Sequence, residues 1–386
     1  MRFNFSDMNK IIYSVLLITV LPSCSKEEKG IVHYGEKALG GITMTLDSMV
    51  VNADTTSLQG NFVLYDSNII FLDRLYHKTF LYSCENGELT KAALGHGNGP
   101  NEISHAMQIS SVSPGDSIMW IVDPMNGIYD YFPSRDSVAF STRLDFQWGI
   151  PEERNLERPG VYNLQELSEN GLTFTLINDS TVLIPVSRVA SFLKAIDENV
   201  YEKGHMFGEV DLSTKKVRRV TGKYPDFFKD NPCPSFSYFD YVYDPETERT
   251  FVTFGPDSLV YCYQYPDSLL FTFGYAPHDV GRDYPLGYDI DYSKFIENRK
   301  DIGYNVRLFF DKENRLFLRT SIKNMETFEC VVQVYDDKFN LIGEFDMPPY
   351  FIFLGSHGSN YYGARAIPKE YDDRSEFVFY KFRLSL

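Results

Sequence analysis

The sequence predicts an all-β fold, a six-bladed β-propeller built from four-stranded antiparallel blades. Three observations support this fold class. Helical periodicity is nearly absent, and the 27 Tyr and 31 Phe residues fall in short runs with β-branched residues, closed by Asp, Asn, Gly and Pro. Such runs are typical of strands separated by turns. A four-strand unit also returns along the chain, and radial repetition of that unit is the signature of a propeller.

The repeated unit is clearest in its first copy. An inner strand near Gly60 to Tyr65 is followed by strands at Asn68 to Leu72, Thr79 to Cys84 and Glu88 to Leu94. Later copies open with inner strands at Gln108 to Val112, Leu172 to Ile177, Tyr238 to Tyr243 and Val306 to Phe310. The spacing of the copies is uneven, so five or seven blades remain alternatives to six.

The two ends of the chain are predicted to complete the ring. The tail supplies three strands, Tyr350 to Leu354, Asn360 to Ala366 and Glu376 to Leu384, and lacks a fourth. The segment Gly41 to Val50 is a spare strand at the other end of the chain. Pairing of this N-terminal strand with the tail would close the ring and leave no open sheet edge.

The N-terminal segment has the features of an export signal. Arg2 and Lys10 precede an apolar run from Ile11 to Leu21, which is shorter than the roughly 20 residues that span a bilayer. The run ends in Leu-Pro-Ser before Cys24, which resembles the lipobox of bacterial lipoproteins. We therefore expect cleavage before Cys24 and lipid attachment to that cysteine. The alternative is a signal peptide that happens to contain a cysteine.

These features divide the chain into three parts and suggest its compartment. Residues 1–23 are the predicted signal peptide, residues 24–40 a lipidated tether and residues 41–386 the propeller domain. The expected location is the outer membrane, through the lipid anchor. Both the cell surface and the periplasmic face remain open.

The net charge of the chain argues against one class of partner, and its cysteines indicate whether disulfides form. The net charge of −16 repels phosphate backbones, so we expect no nucleic-acid partner. Four cysteines follow Cys24, and most lie in apolar strand-like segments; we expect buried free thiols rather than disulfides. They are Cys84, Cys233, Cys262 and Cys330.

One loop resembles a known family. The segment Gly95 to Ile103 reads Gly-His-Gly-Asn-Gly-Pro-Asn-Glu-Ile and is similar to the G-x-G-x-G-P-x-E-[FI] signature of six-bladed propeller lipoproteins of Bacteroidetes, described as TolB-like or NHL-like. The resemblance implies the propeller fold and envelope location over most of the mature chain. Most members of this family are described only as domains of unknown function, so the resemblance indicates the fold more than an activity.

No motif gathers catalytic groups. The glycine loop is not a P-loop, and we expect its glycines to serve backbone geometry. The seven histidines form no H-x-H or H-E-x-x-H pattern, and no G-x-S-x-G elbow is present. The sequence therefore predicts no catalytic residue, no metal and no cofactor.

A ligand site is predicted on the loops that join the outer strand of one blade to the inner strand of the next. These loops lie on one face of a propeller, and loops on a rigid scaffold concentrate binding residues. We expect a pocket near the axis rimmed by His96, His278 and Arg282, with His105 pointing toward the same channel. The alternative is that the aromatic side chains only cap the sheets. The predicted ligand residues are His96, Asn98, Glu102, His105, Trp148, Tyr275, His278, Arg282 and Tyr284.

The predicted function is recognition without catalysis. The chain would bind a glycan, a peptide or a partner protein at the cell envelope. The alternatives are a polysaccharide lyase or glycoside hydrolase acting in the propeller funnel, and a purely structural subunit of an envelope complex. Fold alone does not choose among them.

Overall fold

The predicted propeller is confirmed in the computed structural model. It describes residues 31–112, 118–123, 127–135, 137–144, 156–159, 162–165, 171–187, 200–287, 297–365 and 376–385. From His33 onward they form one compact unit. Six antiparallel sheets follow one another along the chain and form the six blades. The strands of each blade are numbered first to fourth from the ring axis outward.

Blades 1 to 3 are built from consecutive strands. A two-residue strand, β1 (Val32–His33), precedes them, and β2 belongs to the last blade. In blade 3 the short strand β11 pairs with β13 beside β12. The strands of these blades are β3 (Gly60–Tyr65), β4 (Asn68–Asp73), β5 (Lys78–Ser83), β6 (Leu89–Ala93); β7 (Gln108–Ser111), β8 (Met119–Val122), β9 (Gly127–Phe132), β10 (Ser137–Arg143); β11 (Asn163–Leu164), β12 (Thr175–Asn178), β13 (Thr181–Ser187), β14 (His205–Asp211) and β15 (Val217–Lys223).

Blades 4 to 6 complete the ring. Short helices lie in the connections: α1 (Val200–Lys203), α2 (Phe227–Asp230) and the 3-10 turns Pro234–Phe236 and Arg299–Asp301. No helix among the described residues is long and apolar enough to cross a membrane. The strands of these blades are β16 (Phe239–Asp244), β17 (Arg249–Phe254), β18 (Val260–Gln264), β19 (Ser268–Phe273); β20 (Tyr304–Asp311), β21 (Leu316–Ile322), β22 (Cys330–Tyr335), β23 (Leu341–Met347); β24 (Phe351–His357), β25 (Asn360–Arg365), β26 (Glu376–Ser385) and β2 (Thr43–Asn52).

The N-terminal strand closes the ring, as predicted. Strand β2 is the fourth strand of blade 6 and pairs antiparallel with β26, in register from Thr43 opposite Ser385 to Asn52 opposite Glu376. The two partners are separated by nearly the whole chain, so this contact is tertiary. It joins the start of the domain to its end.

Residues 33–41, which precede β2, pack against the outside of blades 4 and 5; we call them the strap. The Tyr34 N–H donates to the Thr272 carbonyl at 2.8 Å, and the Ala38 N–H donates to the Leu341 carbonyl at 2.9 Å. The Tyr34 ring meets Phe271 edge-on at 4.9 Å. Most of the strap comes from the segment that the sequence assigned to the tether.

The hydrophobic core lies between neighbouring blades, which explains the aromatic bias. Strands β13 and β21 are buried at every residue, because each of these blades is covered on both faces. The rings of Phe251 in blade 4 and Phe317 in blade 5 lie 4.7 Å apart. Full burial of one such side chain stabilises a fold by about 1.5–3 kcal/mol.

The four described cysteines are free and buried, so the expectation of unpaired thiols is confirmed. Burial raises the pKa of the Cys84, Cys233 and Cys262 thiols to about 12. These thiols therefore act as small apolar side chains of the core.

Polar side chains tie inner strands of successive blades together near the axis. The Gln165 amide donates from Nε2 to the Phe239 carbonyl at 2.9 Å, and the Phe239 N–H donates to Gln165 Oε1 at 3.3 Å. One amide thus satisfies both backbone groups of a residue in the next blade. Such bonds fix the position of one blade relative to the next.

Candidate ligand-binding site

One face of the propeller carries the long connections between blades; we call it the loop face. It bears the segments that lead from the fourth strand of one blade to the first strand of the next. Because strands alternate in direction, the hairpins between second and third strands reach the same face. Residues 94–107 and the hairpin 74–77 of blade 1 therefore lie together.

The glycine loop has a structural role, as expected. The Glu102 carboxylate accepts the Gly99 N–H at 2.7 Å, and Gly97 has a φ of +154°. A Cβ at Gly97 would lie 2.0 Å from Glu102 Oε2, so only glycine leaves room for this bond. The Ile103 N–H donates to the Gly95 carbonyl at 2.8 Å, and its side chain is fully buried. The loop is thus held in one shape that presents His96 and Asn98 to solvent.

Three histidines meet above blade 1, and we call them the histidine cluster. The His77 and His96 rings are stacked with centroids 4.8 Å apart, and His105 meets His77 edge-on at 6.1 Å. His77 Nδ1 accepts the Ala106 N–H at 3.0 Å, so the neutral ring carries its proton on Nε2. His96 and His105 are exposed, whereas His77 is partly buried.

The surroundings of His77, the central residue of the histidine cluster, disfavour its protonated form. Burial lowers the pKa of His77, and the nearby charges of His96 and His105 lower it further, against a raising effect of Asp73. Near neutral pH His77 is therefore an uncharged hydrogen-bond acceptor toward the loop. This bond joins hairpin 74–77 to residues 94–107.

Two exposed apolar side chains lie beside the histidine cluster, on the hairpin 74–77 that also carries His77. Leu75 is 58% exposed and Tyr76 is 46% exposed. The N–H groups of both residues donate to Asp73 Oδ1 at 2.9 Å, and Asp73 also accepts two bonds from Ser57. The hairpin is therefore rigid, although its side chains face solvent. Leu75, Tyr76 and the histidine cluster together form the surface that we call the blade-1 surface.

His278 lies elsewhere, in the connection from blade 4 to blade 5, and contacts the outermost strand of blade 5. Its Nε2 is 2.6 Å from Asp346 Oδ1, its Nδ1 is 3.2 Å from Glu344, and its N–H donates to the Glu344 carboxylate at 3.0 Å. Lys323 Nζ also contacts Asp346 at 2.6 Å and, with His278, lowers the pKa of that carboxyl group. His278 thus fastens the connection 274–303 to blade 5.

Most of the remaining predicted residues hold the chain in place. The Tyr275 hydroxyl donates to the Gly35 carbonyl at 2.8 Å and so anchors the strap. The Tyr284 hydroxyl donates to the Gly303 carbonyl at 2.6 Å, and its ring packs on Phe236 at 5.2 Å. Arg282 is exposed and pairs through its backbone with Ile302. Cys24 and Trp148 lie outside the described residues.

A cavity of about 120 Å³ lies on the ring axis, and we call it the axial cavity. None of the nine predicted ligand residues is among its lining residues. Its walls come from the inner strands of blades 1, 2, 5 and 6 and from the residues that directly precede the inner strand of blade 3. The lining residues are Phe62, Val63, Leu64, Ile109, Ser110, Ser111, Leu172, Thr173, Phe174, Arg307, Phe353 and Leu354.

The structure thus brings only part of the predicted site together. His96 and His105 meet around His77, which was not among the residues predicted from the sequence. The signal for His77 was its position in a hairpin between a second and a third strand, which shares the loop face. Within the described ranges, no group of three or more His, Cys, Asp and Glu side chains is arranged to hold a metal ion.

Fold and site define this chain as a six-bladed propeller with a histidine-centred surface on its loop face. The chain belongs to the family described as a domain of unknown function, DUF4221, whose model matches residues 42–346. It is similar in structure to a DUF4221 member from Bacteroides vulgatus, with 14% identity, a TM-score of 0.61, and coverage of 89% of this chain and 98% of that one. A candidate exported protein from Bacteroides fragilis has 13% identity, a TM-score of 0.49, and coverage of 92% and 100%. No curated protein matches the chain.

Proposed function

We propose that this chain is a non-catalytic recognition module that is lipid-anchored through Cys24 at the outer membrane. Through the blade-1 surface it binds a glycan, a peptide or a partner protein of the cell envelope. The observation that carries the proposal is the exposure of Leu75, Tyr76, His96 and His105 on backbone that is held rigid. Pre-formed presentation lowers the conformational entropy lost on binding.

The chemistry of the blade-1 surface suits such ligands. Tyr76 offers an amphipathic ring for stacking, and Leu75 offers an apolar contact. The exposed imidazoles of His96 and His105 can each donate and accept a hydrogen bond when neutral. Sugar rings and peptides present the same mixture of apolar faces and hydrogen-bonding groups. The net charge of −16 disfavours acidic polymers.

The recognition test compares a His96→Ala, His105→Ala double variant with wild type on a glycan array and in envelope pull-downs. The matched control is His357→Ala, because His357 ends the first strand of blade 6 on the opposite face and is 44% exposed. We expect the double variant to lose the ligand and the control to keep it. Equal capture by the folded double variant, or turnover of a captured glycan, would contradict the proposal.

The anchor has a separate test. The lipid expected on Cys24 carries three acyl chains, which bind a membrane stably because each buried CH₂ contributes about 0.8 kcal/mol. Cys24→Ser removes the sulfur atom to which this lipid would be attached. We expect this variant to move from the membrane fraction to the soluble fraction. Unchanged fractionation would exclude lipid anchoring at Cys24, while protease treatment of intact cells distinguishes surface display from periplasmic retention.

A further inference from the structure

The axial cavity is a second place where this chain can hold a ligand, independent of the blade-1 surface. Its walls are pre-formed because polar side chains tie adjacent inner strands together. Gln108 Oε1 accepts the Leu172 N–H at 3.0 Å, and Ser110 Oγ accepts the Phe174 N–H at 3.1 Å. A ligand entering the cavity would therefore meet walls that need little reorganisation.

Arg307 is the one charged side chain among the described residues that line the cavity. Its Nη1 donates to Thr173 Oγ1 at 3.1 Å, and Thr173 Oγ1 donates to Asp240 Oδ1 at 2.7 Å. Arg307 Nε lies 3.7 Å from Asp240 Oδ2, which also accepts the Leu308 N–H at 2.8 Å. These contacts fix the guanidinium at the cavity wall with its side chain 21% exposed.

The guanidinium keeps donors available for a ligand. An arginine side chain carries five N–H donors. Among the described residues, Thr173 is the one hydrogen-bond partner of the Arg307 guanidinium, and Asp240 is an ion-pair partner beyond hydrogen-bonding distance. Both oxygens of Asp240 are engaged by other donors, so its charge is shared with Thr173 and Leu308. Planar guanidinium groups bind carboxylates through paired hydrogen bonds.

The rest of the cavity wall mixes hydrocarbon with the hydroxyl groups of Ser110, Ser111 and Thr173. Val63 and Leu64 are partly exposed and supply most of the hydrocarbon surface near Arg307, whereas Phe62, Phe174 and Phe353 line the cavity but are almost fully buried. A cavity of about 150 Å³ takes one benzene molecule, so this space of about 120 Å³ admits about five non-hydrogen atoms, close to the size of a three- or four-carbon carboxylate. One cation beside a wall that is partly hydrocarbon favours a small molecule that has an anionic end and a short hydrocarbon chain.

We propose that the axial cavity binds a short-chain organic carboxylate. The carboxylate contacts the guanidinium of Arg307, and the hydrocarbon chain packs against Val63 and Leu64 on the inner strand of blade 1. This site lies apart from the blade-1 surface, so either proposal can fail without the other.

The test uses butyrate and its neutral isostere butyramide as probes, with binding to the purified protein measured by ligand-observed NMR titration. Butyrate should bind at least about tenfold more tightly than butyramide, and Arg307→Gln should weaken butyrate binding by at least about tenfold. The matched control is Arg383→Gln, since Arg383 is exposed on β26 and bonds Asn360 at 2.7 Å. This control should bind butyrate as wild type does.

A second variant keeps the proposal testable if Arg307→Gln does not fold. Leu64→Phe leaves Arg307 in place but fills part of the cavity, and it should abolish butyrate binding while the melting temperature shows a folded protein. The proposal is overturned if wild type does not bind butyrate, if butyramide binds equally well, or if Leu64→Phe binds butyrate undiminished.

Discussion

Asn61 of blade 1 holds Ile109 of blade 2 through a reciprocal pair of hydrogen bonds beside the ring axis. Asn61 Nδ2 donates to the Ile109 carbonyl at 3.1 Å, and the Ile109 N–H donates to Asn61 Oδ1 at 3.3 Å. Asn61 is 2% exposed, so water does not replace these bonds. Gln165 and Phe239 repeat the same arrangement between blades 3 and 4.

This pair gives the first prediction. Asn61→Ala leaves the buried N–H and carbonyl of Ile109 without partners, which should lower the free energy of unfolding by about 1–3 kcal/mol. Urea denaturation measures the change. Asn98→Ala is the matched control, because Asn98 is exposed, and it should stay within about 0.5 kcal/mol of wild type. Equal stability of the two variants would mean that the amide does not tie the blades.

Ring closure gives the second prediction. Deleting residues 31–50 removes most of β2 and exposes the edge of β26, so the protein should lose several kcal/mol of stability and self-associate. Size-exclusion chromatography and urea denaturation measure both effects. Deleting only residues 31–38 keeps β2, and we expect this shorter chain to remain monomeric. A monomeric 31–50 deletion that melts like wild type would refute this topology.

The cysteines give the third prediction. All four described thiols are buried, and burial raises the pKa of three of them to about 12. A thiol reagent such as Ellman's reagent needs an accessible thiolate. We expect almost no labelling of Cys84, Cys233, Cys262 and Cys330 in the native protein and complete labelling in denaturant. Rapid native labelling at any of these positions would contradict the packing described above.

The histidine cluster gives a pH prediction. The folded pKa of His77 is lowered below the usual 6.5, so below that pH the unfolded chain binds more protons than the folded one. The contribution of His77 to stability is therefore complete above about pH 6.5 and is lost as the pH falls through its folded pKa. His77→Gln should flatten the dependence of melting temperature on pH below 6.5. Some dependence should remain, because burial and Lys223 also lower the pKa of His205. Unchanged pH dependence in the variant would be the contrary outcome.

The sequence predicted the ring and its closure because both depend on strand count. The tail lacked one strand and the N-terminal segment supplied one, so the pairing of β2 with β26 followed from the need to close an edge. The glycine loop was also interpreted correctly, because glycine at a positive φ is a local property of the backbone.

The site was predicted less completely, because it depends on which loops approach one another. His96 and His105 were expected on the loop face, but the distance from His96 to His278 depends on how far each loop reaches from the axis. His278 turns outward to Glu344 and Asp346 on the fourth strand of blade 5. The axial cavity did leave a signal in the sequence, since Arg307 is the one cation of the inner strand β20 and is flanked by Val306 and Leu308.

Photo-cross-linking in living cells tests recognition through the blade-1 surface most directly. The photoreactive residue p-benzoylphenylalanine replaces Tyr76, which is 46% exposed, or Leu270, which is 40% exposed on the outer strand of blade 4. After irradiation we expect a discrete adduct with an envelope component from position 76 and none from position 270. Adducts of equal yield from both positions, or an adduct from position 270 alone, would contradict recognition at this surface.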